Sequence, residues 1–352
     1  MAKNLALVGA AQARPANTPS IDHQWRAWIG ENLILGGQPA QLAQVLQEKG
    51  FPLAHIVEEI DLALRSPYLQ GARRLKNRIA KRDWVLEIYR KLGRIENPDD
   101  CSIERRHQLS REEFLRGYYC QNKPVVITGM MADWPAMQKW NLDFFRQQCA
   151  SAQVEVQFGR SKDQNYELNS IAHKKLMPFG EYVDLVANAA ETNDFYMTAN
   201  NDGRNREALQ VLWDDIVQLP EYLRPDPLQR GFFWFGPKGT VTPFHHDLTN
   251  NFMAQVMGRK RVRIMAANEV AHVYNMRHCF TQVDGLNIDY ERFPEMRNVR
   301  IQECEIGPGE ILFLPVGCWH MVEGLETSVT IAFTNFLWDN DYFSNYPKDH
   351  DF

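Results

Sequence analysis

The sequence predicts a mainly β protein, a sandwich or barrel of short strands, behind an N-terminal helical domain. Before about residue 95 the apolar residues recur at helical spacing; after Cys101 the chain breaks into short β-like runs between glycines and prolines. Size and composition agree. A chain of 352 residues, 44% apolar and 24% charged, is long enough for a large buried core and ordinary for a globular protein.

The helical part is read as residues 21–100, after a loose tail over residues 1–20. Trp25, Trp28, Ile29 and Leu33 share one helical face, and Gly36-Gly37 stop the segment. Gln38 to Gly50 and Leu53 to Leu64 give two further amphipathic helices, punctuated by Gly50 and Ser66-Pro67. A longer helix is expected from Tyr68 to Leu92. Between Arg65 and Arg94 it carries ten Lys/Arg against Asp83 and Glu87. That is either a solvated face or a docking surface for an acidic partner. A linker is read at Glu96 to Asp100.

The β part is read as residues 101–345. Strands are expected at Pro124 to Gly129, Val154 to Phe158, Phe232 to Phe235, Phe252 to Val256, Arg261 to Met265, Val299 to Ile306, Ile311 to Leu314 and Ser328 to Phe336. There is no internal repeat.

Composition narrows the function classes. A net charge of −5 argues against a nucleic-acid partner. Six scattered cysteines without a Cys-x-x-Cys pair read as reduced thiols. No apolar run is long enough for a membrane span, and the short stretch Leu5 to Ala11 lacks a cleavage site, so a cytoplasmic location is expected.

The chemistry concentrates at Thr242-Pro-Phe-His-His-Asp247. On extended backbone His245 and Asp247 point to the same face, and His246 points away. An imidazole and a carboxylate side by side are two parts of a 2-His-1-carboxylate facial triad, the donor set of non-haem iron(II) oxygenases. The segment Gly307-Pro-Gly to Trp319-His320 supplies a third ligand: a tight turn, a short buried strand ended by Pro315, then His320 at a strand end, where a barrel mouth would be. Lys260 alternates with Val262 and Ile264, while Arg259, Arg261 and Arg263 take the other face. A lysine on an apolar face is costly unless it meets an anion. The far carboxylate of 2-oxoglutarate is such an anion.

These segments, together with Asn251 to Lys260, Tyr290-Glu-Arg-Phe-Pro294, Thr334-Asn335-Phe336 and, upstream, Lys123 to Gly129, Trp134-Pro135 and Trp140, resemble the JmjC/cupin oxygenases over roughly residues 105 to 338. Within that family the resemblance is nearest to the asparaginyl hydroxylase that inhibits hypoxia-inducible factor. It implies a double-stranded β-helix (a jelly roll), iron(II) on His245, Asp247 and His320, and 2-oxoglutarate contacts from Lys260, Thr242 and Tyr196. It places Asn251 and Asn335 along the pocket, with O2 as the oxidant. The sequence departs from that hydroxylase at Thr198, where the relative has a substrate-touching glutamine, and at Leu337, where it has a tryptophan, with Trp338 one position on. The relative's C-terminal helical dimerisation extension has no counterpart before Phe352, so the dimer mode does not transfer and a homodimer stays open. The expected function is hydroxylation of an amino-acid side chain in a peptide or protein. The alternatives are a free small-molecule substrate such as an amino acid, a demethylase, or a non-catalytic cupin-like binding protein.

Overall fold

The computed structural model describes residues 20–98, 101–199, 203–225 and 231–347. The expected tail and the last two residues of the expected linker lie outside them, apart from Ser20. The chain forms two compact units, residues 1–88 and 89–352.

In the first unit α1 (His23–Leu35) starts on the Asp22 side chain, which accepts from the Trp25 N–H at 3.0 Å, and stops at Gly36 in the left-handed region, φ 106°. It is followed by α2 (Pro39–Glu48), with proline in its first turn, and α3 (Leu53–Arg65). Ile29, Leu33, Leu42, Leu46, Ile56, Ile60 and Leu69 form its core. The last of these sits on α4 (Pro67–Glu96), which continues without a break past the unit boundary and into the expected linker. No helix among the described residues is long and apolar enough to cross a membrane.

Fifteen strands lie among the described residues of the second unit. The first five are β1 (Arg105–His107), β2 (Val125–Thr128), β3 (Gln153–Phe158), β4 (Lys174–Pro178) and β5 (Phe195–Tyr196). Next come β6 (Phe232–Gly236), β7 (Val241–His246), β8 (Asn251–Met257), β9 (Lys260–Met265), β10 (Asn275–Arg277) and β11 (Phe280–Thr281). The last four are β12 (Gln302–Ile306), β13 (Glu310–Leu314), β14 (Trp319–Gly324) and β15 (Ser328–Phe333).

Eight of them make the jelly roll. β6 pairs antiparallel with β15, β7 with β14, β8 with β13 and β9 with β12. These pairings describe one two-stranded ribbon. The ribbon folds over itself because successive strands β6, β7, β8 and β9 alternate between two sheets, ordered β1-β2-β13-β8-β15-β6 and β10-β11-β7-β14-β9-β12. The pairs β8·β15 and β9·β14 close the wrap. A third sheet, β4-β3-β5, joins through the Met197–Phe235 bridge.

Burial explains the sequence texture. Leu312 and Leu314 point between the two sheets with Val126, Val262, Ile264 and Val322. Ile311 and Phe313 point outward under the aromatic cluster of Phe114, Tyr119, Phe252 and Phe336. Both faces of β13 are buried, so it reads as an unbroken apolar run instead of an alternation. Two expected strands are shorter than read. Residues 294–298 turn in a 3-10 helix and β12 starts only at Gln302; β15 ends at Phe333. His320 lies near the start of β14, at a strand end as expected, on a strand the sequence alone did not reveal.

Candidate active site

His245 and His320 face each other across β7 and β14 as direct register partners, ring centroids 4.3 Å apart. Asp247 follows at the end of β7. Its Oδ1 lies 3.7 Å from His245 Nε2 and its Oδ2 3.9 Å from His320 Nε2. One ligand atom from each residue falls within 4.8 Å of the others. Each imidazole donates Nδ1–H to a backbone carbonyl two residues earlier, His245 to Pro243 at 2.9 Å and His320 to Cys318 at 3.0 Å. Both rings therefore present a bare Nε2 to the site. Burial, with His245 alongside, pushes His320 below the usual imidazole range, so it stays neutral. Two imidazoles presenting Nε2 and one carboxylate, converging from adjacent strand ends, are the donor set that fits iron(II).

A β-bulge makes this possible. Thr242 opposes Val322 and His245 opposes His320, so two residues of β7, Pro243 and Phe244, stand against the single Met321 of β14. On a regular strand Thr242 and His245 would face opposite sides; the extra residue turns both into the same cavity. Proline, having no N–H to lose, suits a bulge. His246 points away, as expected, and packs against Trp319 and Tyr346, whose hydroxyl lies 3.1 Å from its Nε2.

The cavity, about 90 Å³, is lined by the triad, Thr242, Tyr196, Asn251 and Lys260 among others. Lys260 is 1% exposed and donates to the Tyr196 hydroxyl at 3.0 Å. Burial pushes its ammonium down to about 7. Asn251 Nδ2 donates to Asp247 Oδ2 at 3.2 Å, while its buried Oδ1 has no partner. A buried ammonium with a neutral neighbour and three metal-ligand atoms, all lining one cavity, fit a metal-chelating dicarboxylate.

Asn335 is not brought to this cavity. Its side-chain amide donates to the Arg224 carbonyl at 2.8 Å, so it ties a loop. Thr198 is buried and accepts from Gln157 at 3.2 Å, and Trp338 packs on Phe114 and Tyr119 in the outer core. Trp234, Met253, Leu314, Val322 and Ala332 complete the lining. Sequence reasoning missed them because in buried strands they look like core; only Trp234, 5.8 Å from the Tyr196 ring, breaks a run of phenylalanines.

A family model described as a cupin-like domain matches residues 110–343. The chain is 34% identical over 246 residues to lysine-specific demethylase JMJ30 of Arabidopsis thaliana, covering 68% of this chain and 55% of that protein. It is 30% identical over 249 residues to lysine-specific demethylase 8 of Xenopus tropicalis, covering 66% and 53%. It is 28% identical over 243 residues to tRNA wybutosine-synthesizing protein 5 of Gallus gallus, covering 65% and 74%. The chain thus spans little more than half the length of the demethylase-named relatives.

Proposed function

The chain belongs to the cupin-like family of the JmjC kind, and from that membership we propose that it is an iron(II)- and 2-oxoglutarate-dependent oxygenase that hydroxylates an amino-acid side chain in a peptide or protein. The observation that carries the proposal is Lys260, a buried ammonium in the same cavity as the three metal ligands. A protein that only bound metal would gain nothing from that burial cost. When bound, iron(II) with 2-oxoglutarate and O2 supplies oxidation of an unactivated C–H bond, coupled to decarboxylation of the 2-oxoglutarate. The chain's own residues prepare for it. His245, Asp247 and His320 would hold the metal on one face and leave its other positions free. Lys260, Tyr196 and Thr242 would take the far carboxylate of 2-oxoglutarate. Asn251 holds the Asp247 carboxylate in place, and the buried walls Met253, Leu314 and Val322 exclude water. The exposed Arg73, Arg74, Arg78, Lys81 and Arg82 of α4 are proposed as the docking face for an acidic protein substrate.

The relatives' demethylase names favour a second reading on the same chemistry. A hydroxyl placed on an N-methyl carbon collapses with loss of formaldehyde, so the position presented to the site decides between hydroxylase and demethylase. Mass spectrometry of peptides with plain and N-methylated lysines, incubated with the enzyme, iron(II) and 2-oxoglutarate, tests this. A stable gain of one oxygen supports hydroxylation; loss of a methyl group with formaldehyde release supports the second reading. Turnover of free amino acids only would overturn both.

A further inference from the structure

Tyr196 has a second charged neighbour that the sequence did not reveal. Arg160 is 1% exposed, and its guanidinium carbon lies 5.1 Å from the Tyr196 ring centroid and 4.4 Å from that of Tyr166. Its Nη2 donates to Glu167 Oε1 at 2.9 Å and to the Val241 carbonyl at 2.8 Å. The Tyr166 hydroxyl donates to the same carbonyl at 3.0 Å. Arg160 Nε and Nη1 have no hydrogen-bond partner, so much of this side chain's interaction is with two aromatic faces. A buried guanidinium is a costly way to fill space; leucine or methionine would pack as well without desolvation.

We infer that Arg160 is a positioning residue for the far carboxylate of 2-oxoglutarate. It fixes the Tyr196 ring whose hydroxyl meets Lys260. It also pins Val241, the residue before Thr242, and adds positive charge behind that end of the cavity. Arg160 lies against the Tyr196 ring, 5.1 Å from its centroid, while Lys260 Nζ meets the hydroxyl edge of the same ring at 3.0 Å. Glu167 offsets part of the Arg160 charge, and a carboxylate arriving beside Lys260 would offset the rest. Coulombic attraction between that carboxylate and the guanidinium is screened little in so dry a region. The inference rests on the oxygenase reading of this cavity.

The test is calorimetry of 2-oxoglutarate binding to the full chain, loaded with manganese(II) and kept free of oxygen. Arg160→Met should weaken binding about tenfold, or about 1.4 kcal/mol. Metal affinity and turnover at saturating 2-oxoglutarate should stay near the parent's. Arg160→Lys keeps the charge without the planar stack and should fall in between. Glu167→Gln breaks the same ion pair from its other end but leaves the guanidinium's charge unopposed, so it should tighten binding. A purely structural ion pair would make both partners' variants weaken binding alike, or leave both unchanged, and either result overturns the inference. If Arg160→Met does not fold, opposite shifts in Arg160→Lys and Glu167→Gln uphold it and matching ones overturn it. A parent protein that does not bind 2-oxoglutarate sinks the oxygenase reading instead.

Discussion

At His245 and His320 the same small device recurs: Nδ1–H goes to a carbonyl two residues back, and Nε2 is left bare beside Asp247. Replacing any of the three by alanine removes one ligand of a chelate, so metal binding measured by calorimetry should fall at least about tenfold, the lower end for lost metal-site groups. His246→Ala should keep metal affinity, because that ring sits between Trp319 and Tyr346 outside the cavity. A dead His246→Ala beside an active His245→Ala would reverse the assigned strand register. Lys260 supports a prediction with a pH sign. Its ammonium titrates near the ordinary 10.5 in the unfolded chain and at about 7 in the fold. Between those values the unfolded chain binds more protons, so this group makes the protein without co-substrate more stable as pH rises from about 7 to 10.5 and contributes no slope below. Lys260→Met should abolish that rise in chemical denaturation and bind 2-oxoglutarate roughly ten- to a hundredfold more weakly, the loss of a charge-assisted contact. Above about pH 7 the parent should take up a proton on binding 2-oxoglutarate, seen as a buffer-dependent heat. A parent and mutant with equal affinity would leave only the metal-binding reading of the cavity.

Among the elements, β7 shows where the sequence was legible and where it stopped. Alternation correctly separated His245 and Asp247 from His246, and Lys260 from its arginine neighbours, whose partners are Glu303, Glu305, Glu323 and Glu326. Alternation alone could not put Thr242 and His245 in one cavity, since that needs the bulge. Pro243 was the available signal, and only the pairing with β14 shows that it counts as one. Asn335 shows the opposite failure: its place beside Phe336 resembled a pocket residue, but the amide is spent on Arg224. No local pattern announced Asn250 either. Its side chain and backbone exchange hydrogen bonds with Asn340 at 2.7 to 3.0 Å, and its Oδ1 accepts from Val316 N at 2.9 Å. It therefore ties the β7–β8 turn, the turn before β14 and the segment after β15, the ends that carry all three ligands. Asn250→Ala leaves the Val316 N–H and part of Asn340 unpaired. It should cost about 1–3 kcal/mol in denaturant unfolding, as other unsatisfied buried groups do. Metal affinity should fall with it; a variant that unfolds earlier yet binds metal as tightly as the parent would limit Asn250 to the fold.

For the molecule as a whole, the division between helices and strands was readable because hydrophobic period and glycine–proline punctuation change near residue 100. The wrapping of a two-stranded ribbon into two sheets was not, since pairings such as β6 with β15 join residues nearly a hundred apart. The unit boundary was also hidden, because it falls at Ile88–Tyr89 inside one continuous helix. The reason the helix end belongs with the strands is a buried ion pair. Arg90 Nε lies 2.7 Å from Glu269 Oε2, with side chains only 5% and 4% exposed. Arg90 also donates to the Asn298 carbonyl at 2.8 Å, and Arg94 reaches the same carbonyl. Two truncations should therefore differ. Removing residues 1–88 keeps Arg90, so the remaining unit should stay folded and bind 2-oxoglutarate with metal as the full chain does. Removing residues 1–95 strands Glu269 as a buried carboxylate without its cation and should destabilise that unit by about 3–5 kcal/mol, the usual cost of breaking such a pair. Glu269→Gln in the shorter of the two chains removes the orphaned charge and should recover much of the loss. Thermal unfolding of the three proteins decides it: equal midpoints for the two truncations would mean that Arg90 does not anchor the helix end.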